Sequence, residues 1–286
     1  MTAIEFYHLT DTTLKKLAIA HDVKNLDKYY QLTDFLAFPQ LKNMGDIEQT
    51  FMQIAFHGQN ATMISNIIQF EKNFEKLDRL LCGFNPLQFL ALYDAAASRD
   101  EKVANLIAAF KESGFHWNTE KSIKRPNAII TRYANMLLDA AEYLKGFSTK
   151  QEIVADLQSH NSCTKELVKY FRSKIRSGYS IALTCDFLKE FDEAFCNLPK
   201  PDIHIKDVLC AYLKLANGYY NTESREYECI AQMQALTDQI NMSRIADGTK
   251  EITVYQLDRM IWLVCTGFFF LDTKRSSKQR YIDQIR

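Results

Sequence analysis

The hydrophobic residues of this chain recur every three or four positions along much of its length, which is the spacing of one helix face. Gly178 separates two such patterns. The pattern before it runs through Leu167, Val168, Phe171 and Ile175, and the pattern after it runs through Ala182, Phe187, Leu188 and Phe191. The spacing therefore predicts a helix, a short hairpin turn and a second helix over about residues 165–191.

Similar patterns, bounded by helix start and stop signals, predict helices along the rest of the chain. Pro126 opens a helix that Gly146 ends, and capping-box sequences stand at Ser148–Gln151 and Thr253–Gln256. The remaining predicted helices cover 61–81, 86–97, 101–113, 202–217 and 224–245, and they follow an N-terminal helical segment broken near positions 22, 33 and 39.

The scarcity of turn residues and of alternating β-branched runs indicates an all-α protein. Only five prolines and nine glycines interrupt the 286 residues, while 47% of the residues are hydrophobic. A chain of this length and composition can form one large domain or two lobes with well-developed cores.

Cysteine usage and hydrophobic runs indicate an intracellular protein with no metal site and no membrane partner. The seven cysteines form no CxxC pair, so the sequence supports neither a zinc ribbon nor a thioredoxin motif. Their odd number favours reduced, buried thiols. The N-terminus does not have the basic and apolar regions of a signal peptide, and the most apolar run, 260–271, is too short to cross a bilayer.

The formal net charge is zero, so positive charge matters only where it is concentrated locally. One basic group lies directly before the hairpin and consists of Lys165, Lys169, Arg172, Lys174 and Arg176. Two further basic groups lie at 121–132 and 274–280. Each group is interpreted either as a solvated helix face or as a contact for nucleic acid.

An aspartate follows the hairpin pair where a new helix begins. Pro201 restricts the backbone before Asp202, which fixes the start of that helix. Position alone favours an N-cap, in which the carboxylate accepts hydrogen bonds from backbone N–H groups. The alternative is a carboxylate with a catalytic role. Both roles are compatible only if capping leaves part of the carboxylate unoccupied.

Three stretches resemble the helix-hairpin-helix DNA glycosylase superfamily, in particular its purely helical branch without an iron–sulfur cluster. They are Gly178-Tyr179-Ser180, Ala182–Leu188 and Pro201–Lys206. Asp202-Ile203-His204 matches the family's Asp-x-His, whereas Ser180 replaces the second glycine of its Gly-x-Gly hairpin. The resemblance implies an all-α, two-lobed fold. Its middle lobe would cover about 60–198 and its second lobe 1–59 and 199–286, with the aspartate at the cleft between them.

The resemblance also implies a reaction. Asp202 would stabilise the positive charge that forms on deoxyribose as the base leaves, and would orient or deprotonate the attacking water. His204 would orient that carboxylate. Ala182 occupies the position of the lysine with which bifunctional members form a Schiff base. A monofunctional N-glycosylase without a metal or other cofactor is therefore implied.

The same resemblance implies how DNA is held. A phosphate would contact the backbone N–H groups of the hairpin and nearby basic side chains, namely Gly178, Tyr179, Ser180, Lys174, Arg176 and Lys206. Base flipping also needs an aromatic wedge, for which an exposed Tyr179 or else Trp117 is the candidate. The alternatives are a plain loop between packed helices, a structural His204 and a solvated Lys206.

The sequence thus predicts a base-excision protein whose partner is double-stranded DNA with a damaged or modified base. Two other interpretations stay open. One is a DNA-binding protein that has the fold without the chemistry, and the other is a helical module that binds only proteins.

Overall fold

The computed structural model describes residues 1–29, 44–58, 67–115, 129–269 and 277–286. These residues form α-helices, two short 3-10 turns and connecting loops, with no strand among them, which confirms the predicted all-α class. The helices are α1 (Ala3–Ala20), α2 (Asp46–His57), α3 (Ile67–Leu80), α4 (Pro86–Ala91), α5 (Arg99–Glu112), α6 (Ile129–Leu144), α7 (Lys150–Ser159), α8 (Thr164–Lys174), α9 (Ile181–Phe191), α10 (Ile203–Tyr212), α11 (Glu223–Ala246), α12 (Val254–Thr266) and α13 (Lys278–Ile285).

Side-chain caps fix the starts of several helices. The capping box of α7 lies one residue later than predicted, because Thr149 Oγ1 accepts from the Glu152 N–H while the Glu152 carboxylate accepts from the Thr149 N–H. A charged carboxylate is a stronger acceptor than the Gln151 amide and is favoured by the helix dipole at this end. The capping box predicted at Thr253–Gln256 is confirmed at the start of α12.

The chain divides into two compact units. The terminal unit combines Met1–Phe35 with Leu188–Arg286, and the central unit is Leu36–Phe187. The resemblance places the lobe boundaries near residues 60 and 198, whereas the compact units divide after residues 35 and 187. Helix α9 continues through the second division, so its residues from Leu188 onward belong to the terminal unit.

Helix α12 lies at the centre of the terminal unit. It packs against α1, α10, α11 and α13, and most of its side chains are buried, as expected of a helix that is apolar on nearly all sides. The two ends of the chain also meet in this core, because the hydroxyl groups of Thr10 on α1 and Tyr281 on α13 lie 2.6 Å apart. The N- and C-terminal segments therefore form one core.

Helix α6 has the corresponding position in the central unit. It packs against α2, α4, α5 and α8 through the face that the sequence periodicity identifies, including Tyr133, Met136 and Leu137. The Tyr133 hydroxyl donates to the Ala55 carbonyl over 2.9 Å, which joins α6 to α2. The expected start of this helix at Pro126 lies outside the described residues.

None of the helices in the described ranges combines the length and the hydrophobicity that crossing a lipid bilayer requires.

We expect Tyr281→Phe to lower the free energy of unfolding by about 1 kcal/mol, because it removes a buried hydrogen bond between the two chain ends. Tyr212→Phe is the matched control, since Tyr212 contacts the Phe6 ring in the same core with its ring. The control should change stability by less than about 0.5 kcal/mol. Urea unfolding followed by circular dichroism measures both, and equal losses would contradict the assignment.

Candidate functional site

The predicted helix, hairpin and helix are confirmed as α8, a turn and α9. The turn begins where α8 ends at Lys174, and Gly178 adopts a left-handed φ of 78° within it. Ser180 then caps α9: its Oγ accepts from the Leu183 N–H over 3.2 Å, and its carbonyl accepts from the Thr184 N–H. Serine is a preferred N-cap residue. Ser180, which replaces the second glycine of Gly-x-Gly, thus caps α9.

Gly178 meets two requirements that a larger residue cannot meet. Its positive φ is unfavourable for residues with a Cβ. In addition, a Cβ at this position would lie 2.9 Å from Met136 Cβ on α6. The turn therefore packs tightly on the central helix of its unit, which is the packed loop that the sequence left open as an alternative.

The expectation that Tyr179 is exposed at the hairpin tip is wrong. Its side chain is only 5% exposed, and its hydroxyl donates to the Ile54 carbonyl over 2.9 Å. The ring also contacts Phe171 edge to face, with centroids 5.1 Å apart. Burial raises the pKa of Tyr179 well above its usual value. This side chain holds the hairpin onto α2 and cannot insert into DNA without leaving the core.

The hairpin combines backbone N–H groups that have no acceptor among the described residues with exposed basic side chains. Among the described residues, none accepts a hydrogen bond from the backbone N–H groups of Gly178, Tyr179 and Ser180. The side chains of Lys174 and Arg176 are exposed, and no carboxylate of the described residues forms an ion pair with them. Lys174 Nζ lies 4.9 Å from the centre of the Tyr170 ring. Two exposed cations and three N–H groups without an acceptor among the described residues therefore lie within seven residues, and of the three residues that carry these N–H groups only Ser180 is exposed.

A pocket of about 720 Å³ lies beside these cations, lined mainly by α6, α7 and α8. Its carboxylates already have partners. Asp156 accepts from the hydroxyls of Tyr143 and Tyr170 over 2.7 and 2.9 Å, and Asp139 pairs with Arg99 over 2.7 Å. Burial, together with the hydrogen bond to Asp156, raises the pKa of Tyr170 to about 12. Asp139 is thus balanced by a cation, whereas Asp156 is held by neutral hydroxyl groups.

Asp202 caps α10, as position alone favours. Its Oδ1 accepts from the backbone N–H groups of His204 and Ile205 over 2.8 and 3.1 Å. Its Oδ2 accepts no hydrogen bond from the described part of the chain, and the residue is partly exposed. Ile203, directly after it, is 61% exposed. Capping therefore uses one carboxylate oxygen and leaves the other accessible.

His204 and Lys206, which lie two and four positions after Asp202, have contacts that differ from those expected. His204 contacts the carboxylate through its backbone N–H, so the observed hydrogen bond does not use the imidazole ring. Lys206 forms an ion pair with Glu226 of α11, and its side chain is only 13% exposed. The charge of Lys206 is thus already balanced within the protein. Lys206 is therefore not the free cation that was expected to contact a phosphate.

The predicted site residues fall in both compact units. Lys174, Arg176 and the hairpin belong to the central unit, and Asp202 with His204 and Lys206 belongs to the terminal unit. Trp117 lies outside the described residues, as do most members of the basic groups at 121–132 and 274–280.

A buried ion pair in the terminal unit was missed at the sequence level. Lys189 on α9 pairs with Asp258 on α12, and each side chain is 2% exposed. The same oxygen, Asp258 Oδ2, also accepts from the Lys200 backbone N–H over 3.3 Å. The signal in the sequence is a charge within an apolar face: Lys189 follows Phe187-Leu188, and Asp258 stands between Leu257 and the apolar run that begins at Met260. The two residues are 69 positions apart, so no local sequence pattern indicates that they pair.

The cysteines and acidic residues do not form a metal site in the part of the chain that the structure describes. Cys185, Cys210, Cys229 and Cys265 are buried free thiols. Burial raises the pKa of Cys265 to about 12, so this thiol stays protonated and unreactive near neutral pH.

Comparison of the chain with protein-family models, with curated proteins and with solved structures finds no match. The choice of function therefore depends on the chemistry of the residues described above.

We expect Gly178→Ala to lower the free energy of unfolding by about 2–4 kcal/mol. Two costs sum to this value: alanine is strained at a left-handed φ, and its Cβ clashes with Met136. Gly83→Ala is the matched control. Gly83 also has a positive φ, of 67°, but a Cβ there meets nothing within 4 Å. The control should lose only about 1–2 kcal/mol. Equal losses in urea unfolding would show that Met136 does not constrain the hairpin.

Proposed function

We propose that the protein binds double-stranded DNA containing a damaged or modified base and removes that base by hydrolysis of its N-glycosidic bond. The observation that carries the proposal is the divided role of Asp202. One carboxylate oxygen is fixed by two backbone N–H groups, and the other is accessible beside an exposed apolar residue.

This geometry suits the charge that base excision creates. As the base leaves with the bonding electrons, positive charge develops on deoxyribose, and a fixed carboxylate stabilises it without reorganising. Asp202 Oδ2 can also accept a proton from the water that attacks the sugar carbon. The cap holds the carboxylate in place through Oδ1, so the accessible oxygen has a defined position.

A covalent Schiff-base route is disfavoured by the surroundings of Lys189, the first lysine after the hairpin. Lys189 is buried in an ion pair with Asp258, and the family's lysine position is occupied by Ala182. A Schiff base requires a neutral amine, whereas the buried carboxylate stabilises the charged form. Water is therefore the proposed nucleophile, and a complex trapped with borohydride would contradict it.

We assign DNA binding to the start of α9 at the exposed Ser180 and to the exposed side chains of Lys174 and Arg176. A phosphate accepts hydrogen bonds from backbone N–H groups at a helix start, and Lys174 and Arg176 supply positive charge next to them. The zero net charge means that attraction is confined to such local groups. We therefore expect affinity that is moderate and dependent on salt.

The test of excision uses duplexes that each contain one deaminated, oxidised or alkylated base. Asp202→Asn should lower the single-turnover excision rate by at least about 100-fold. The fold should be preserved, because asparagine caps a helix as well as aspartate. Asp192→Asn is the matched control, since Asp192 Oδ1 caps a 3-10 turn in the same unit. Excision that is unchanged in Asp202→Asn would remove the aspartate from the mechanism.

A second candidate function is DNA binding without excision, and the cap itself favours it, because capping alone explains an aspartate at this position. Salt-dependent binding by a wild-type protein that excises none of the damaged bases would support this candidate. Absence of binding even at low salt would instead favour the helical module that binds only proteins.

We expect Lys174→Gln/Arg176→Gln to weaken DNA binding and to reduce the slope of log affinity against log salt by about 2, one for each lost phosphate contact. Lys111→Gln/Lys145→Gln removes the same charge from two other exposed positions of the central unit and serves as the control. Fluorescence anisotropy at several salt concentrations measures both slopes. A slope that falls equally in the two variants would contradict a local contact at the hairpin.

A further inference from the structure

The segment that carries Asp202 is held by hydrogen bonds from two helices of the terminal unit. This segment, 196–202, connects the 3-10 turn Glu193–Phe195 to α10. The Cys196 carbonyl accepts from the Tyr255 N–H of α12 over 2.9 Å. The Asn197 carbonyl accepts from the Gln234 side chain of α11 over 2.8 Å. Further along the segment, Lys200 hydrogen-bonds to Asp258 of α12.

Lys200 has the only backbone N–H between residues 199 and 201, because both of its neighbours are prolines. This N–H donates to Asp258 Oδ2. The Lys200 carbonyl in turn accepts from the Asp202 N–H over 2.7 Å. A short path of hydrogen bonds therefore runs from Asp258 through one residue to Asp202. The two prolines, both buried, limit the other motions of the segment.

Lys189 stabilises the charge of Asp258. Both side chains are 2% exposed, and an isolated carboxylate at such a depth would lose its hydration without compensation. Buried ion pairs contribute little net stability compared with well-packed apolar residues. Stability alone therefore does not explain this pair, which also supplies an acceptor for the Lys200 N–H.

A neighbouring contact shows that the two helices do not depend on this pair alone. Tyr255 on α12 donates its hydroxyl to the Glu190 carboxylate on α9 over 3.1 Å. This contact joins the same two helices one residue further along α9, and it is not part of the path from Asp258 to Asp202.

We propose that Asp258 is a positioning residue for the reaction proposed above: it holds the Lys200 backbone, and so fixes where the Asp202 carboxylate lies, while Lys189 keeps Asp258 charged and in place. The inference rests on the proposed function for its catalytic consequence. Its structural consequence, a restrained backbone before Asp202, is independent of any activity.

The experiment compares two double variants that both remove the buried charges. Lys189→Met/Asp258→Asn retains an oxygen that accepts from the Lys200 N–H. Lys189→Met/Asp258→Leu has nearly the same shape but no acceptor. Amide hydrogen exchange, resolved by residue with NMR, is measured at Lys200, Asp202 and His204, and also along α11 as an internal reference. Tyr255→Phe, which breaks only the neighbouring contact, is the matched control.

We expect exchange at Lys200 and Asp202 to accelerate by about tenfold or more in the leucine variant, with exchange along α11 unchanged. The asparagine variant and Tyr255→Phe should keep the wild-type rates at these amides. On a base that the wild type excises, the leucine variant should lower kcat by about tenfold or more and leave KM unchanged, because the carboxylate is misplaced only relative to the reacting bond.

Equal exchange in the leucine and asparagine variants would overturn the proposal, as would acceleration that extends along α11. If the leucine variant does not fold, Lys189→Met/Asp258→Ala replaces it with the same expectation, because it also removes the acceptor. If the wild type excises no base, the exchange rates still decide whether Asp258 restrains the segment, so failure of the proposed function is distinguishable from failure of this inference.

Discussion

The hydrogen bonds from one oxygen of Asp202 to the first N–H groups of α10 are the interaction on which the candidate site depends. A helix start leaves several N–H groups without partners, and a side-chain acceptor stabilises it. At α10 the acceptor is a carboxylate that is only half used by the cap. The same residue thus caps the helix and supplies the rigid carboxylate that the proposed reaction requires, and the cap restrains the position of Oδ2 through Oδ1.

The rest of the terminal unit restrains the segment that carries this carboxylate. Helix α12 supplies a backbone donor to Cys196 and a side-chain acceptor to Lys200, and it lies at the centre of the unit's core. The buried Lys189 balances the charge that this acceptor introduces. In the central unit the hairpin is held in a comparable way, by the close approach of Gly178 to Met136 and by the hydroxyl of Tyr179.

Local patterns were enough to predict most of the helices, the hairpin between α8 and α9, and the start of α12, because each depends on residues that are neighbours in the sequence. They did not predict α13, and they placed the ends of α4 and α10 five or six residues too late. The position of Tyr179 could not be predicted in this way, since the carbonyl that binds its hydroxyl belongs to Ile54 on a distant helix. The same reason applies to Lys206, whose partner is Glu226, and to the pair of Lys189 and Asp258. The periodicity of apolar residues identifies which face of a helix is buried. It does not identify which distant residues contact that face.

The central claim is that Asp202 Oδ2 faces the positive charge that forms during base excision. The most direct test is binding of duplexes that contain an abasic-site analogue, either with a cationic ring nitrogen or with a neutral tetrahydrofuran ring, at one salt concentration. The wild type should bind the cationic analogue about tenfold or more tightly than the neutral one, and Asp202→Asn should lose this preference. A preference that is the same in both proteins would contradict the account.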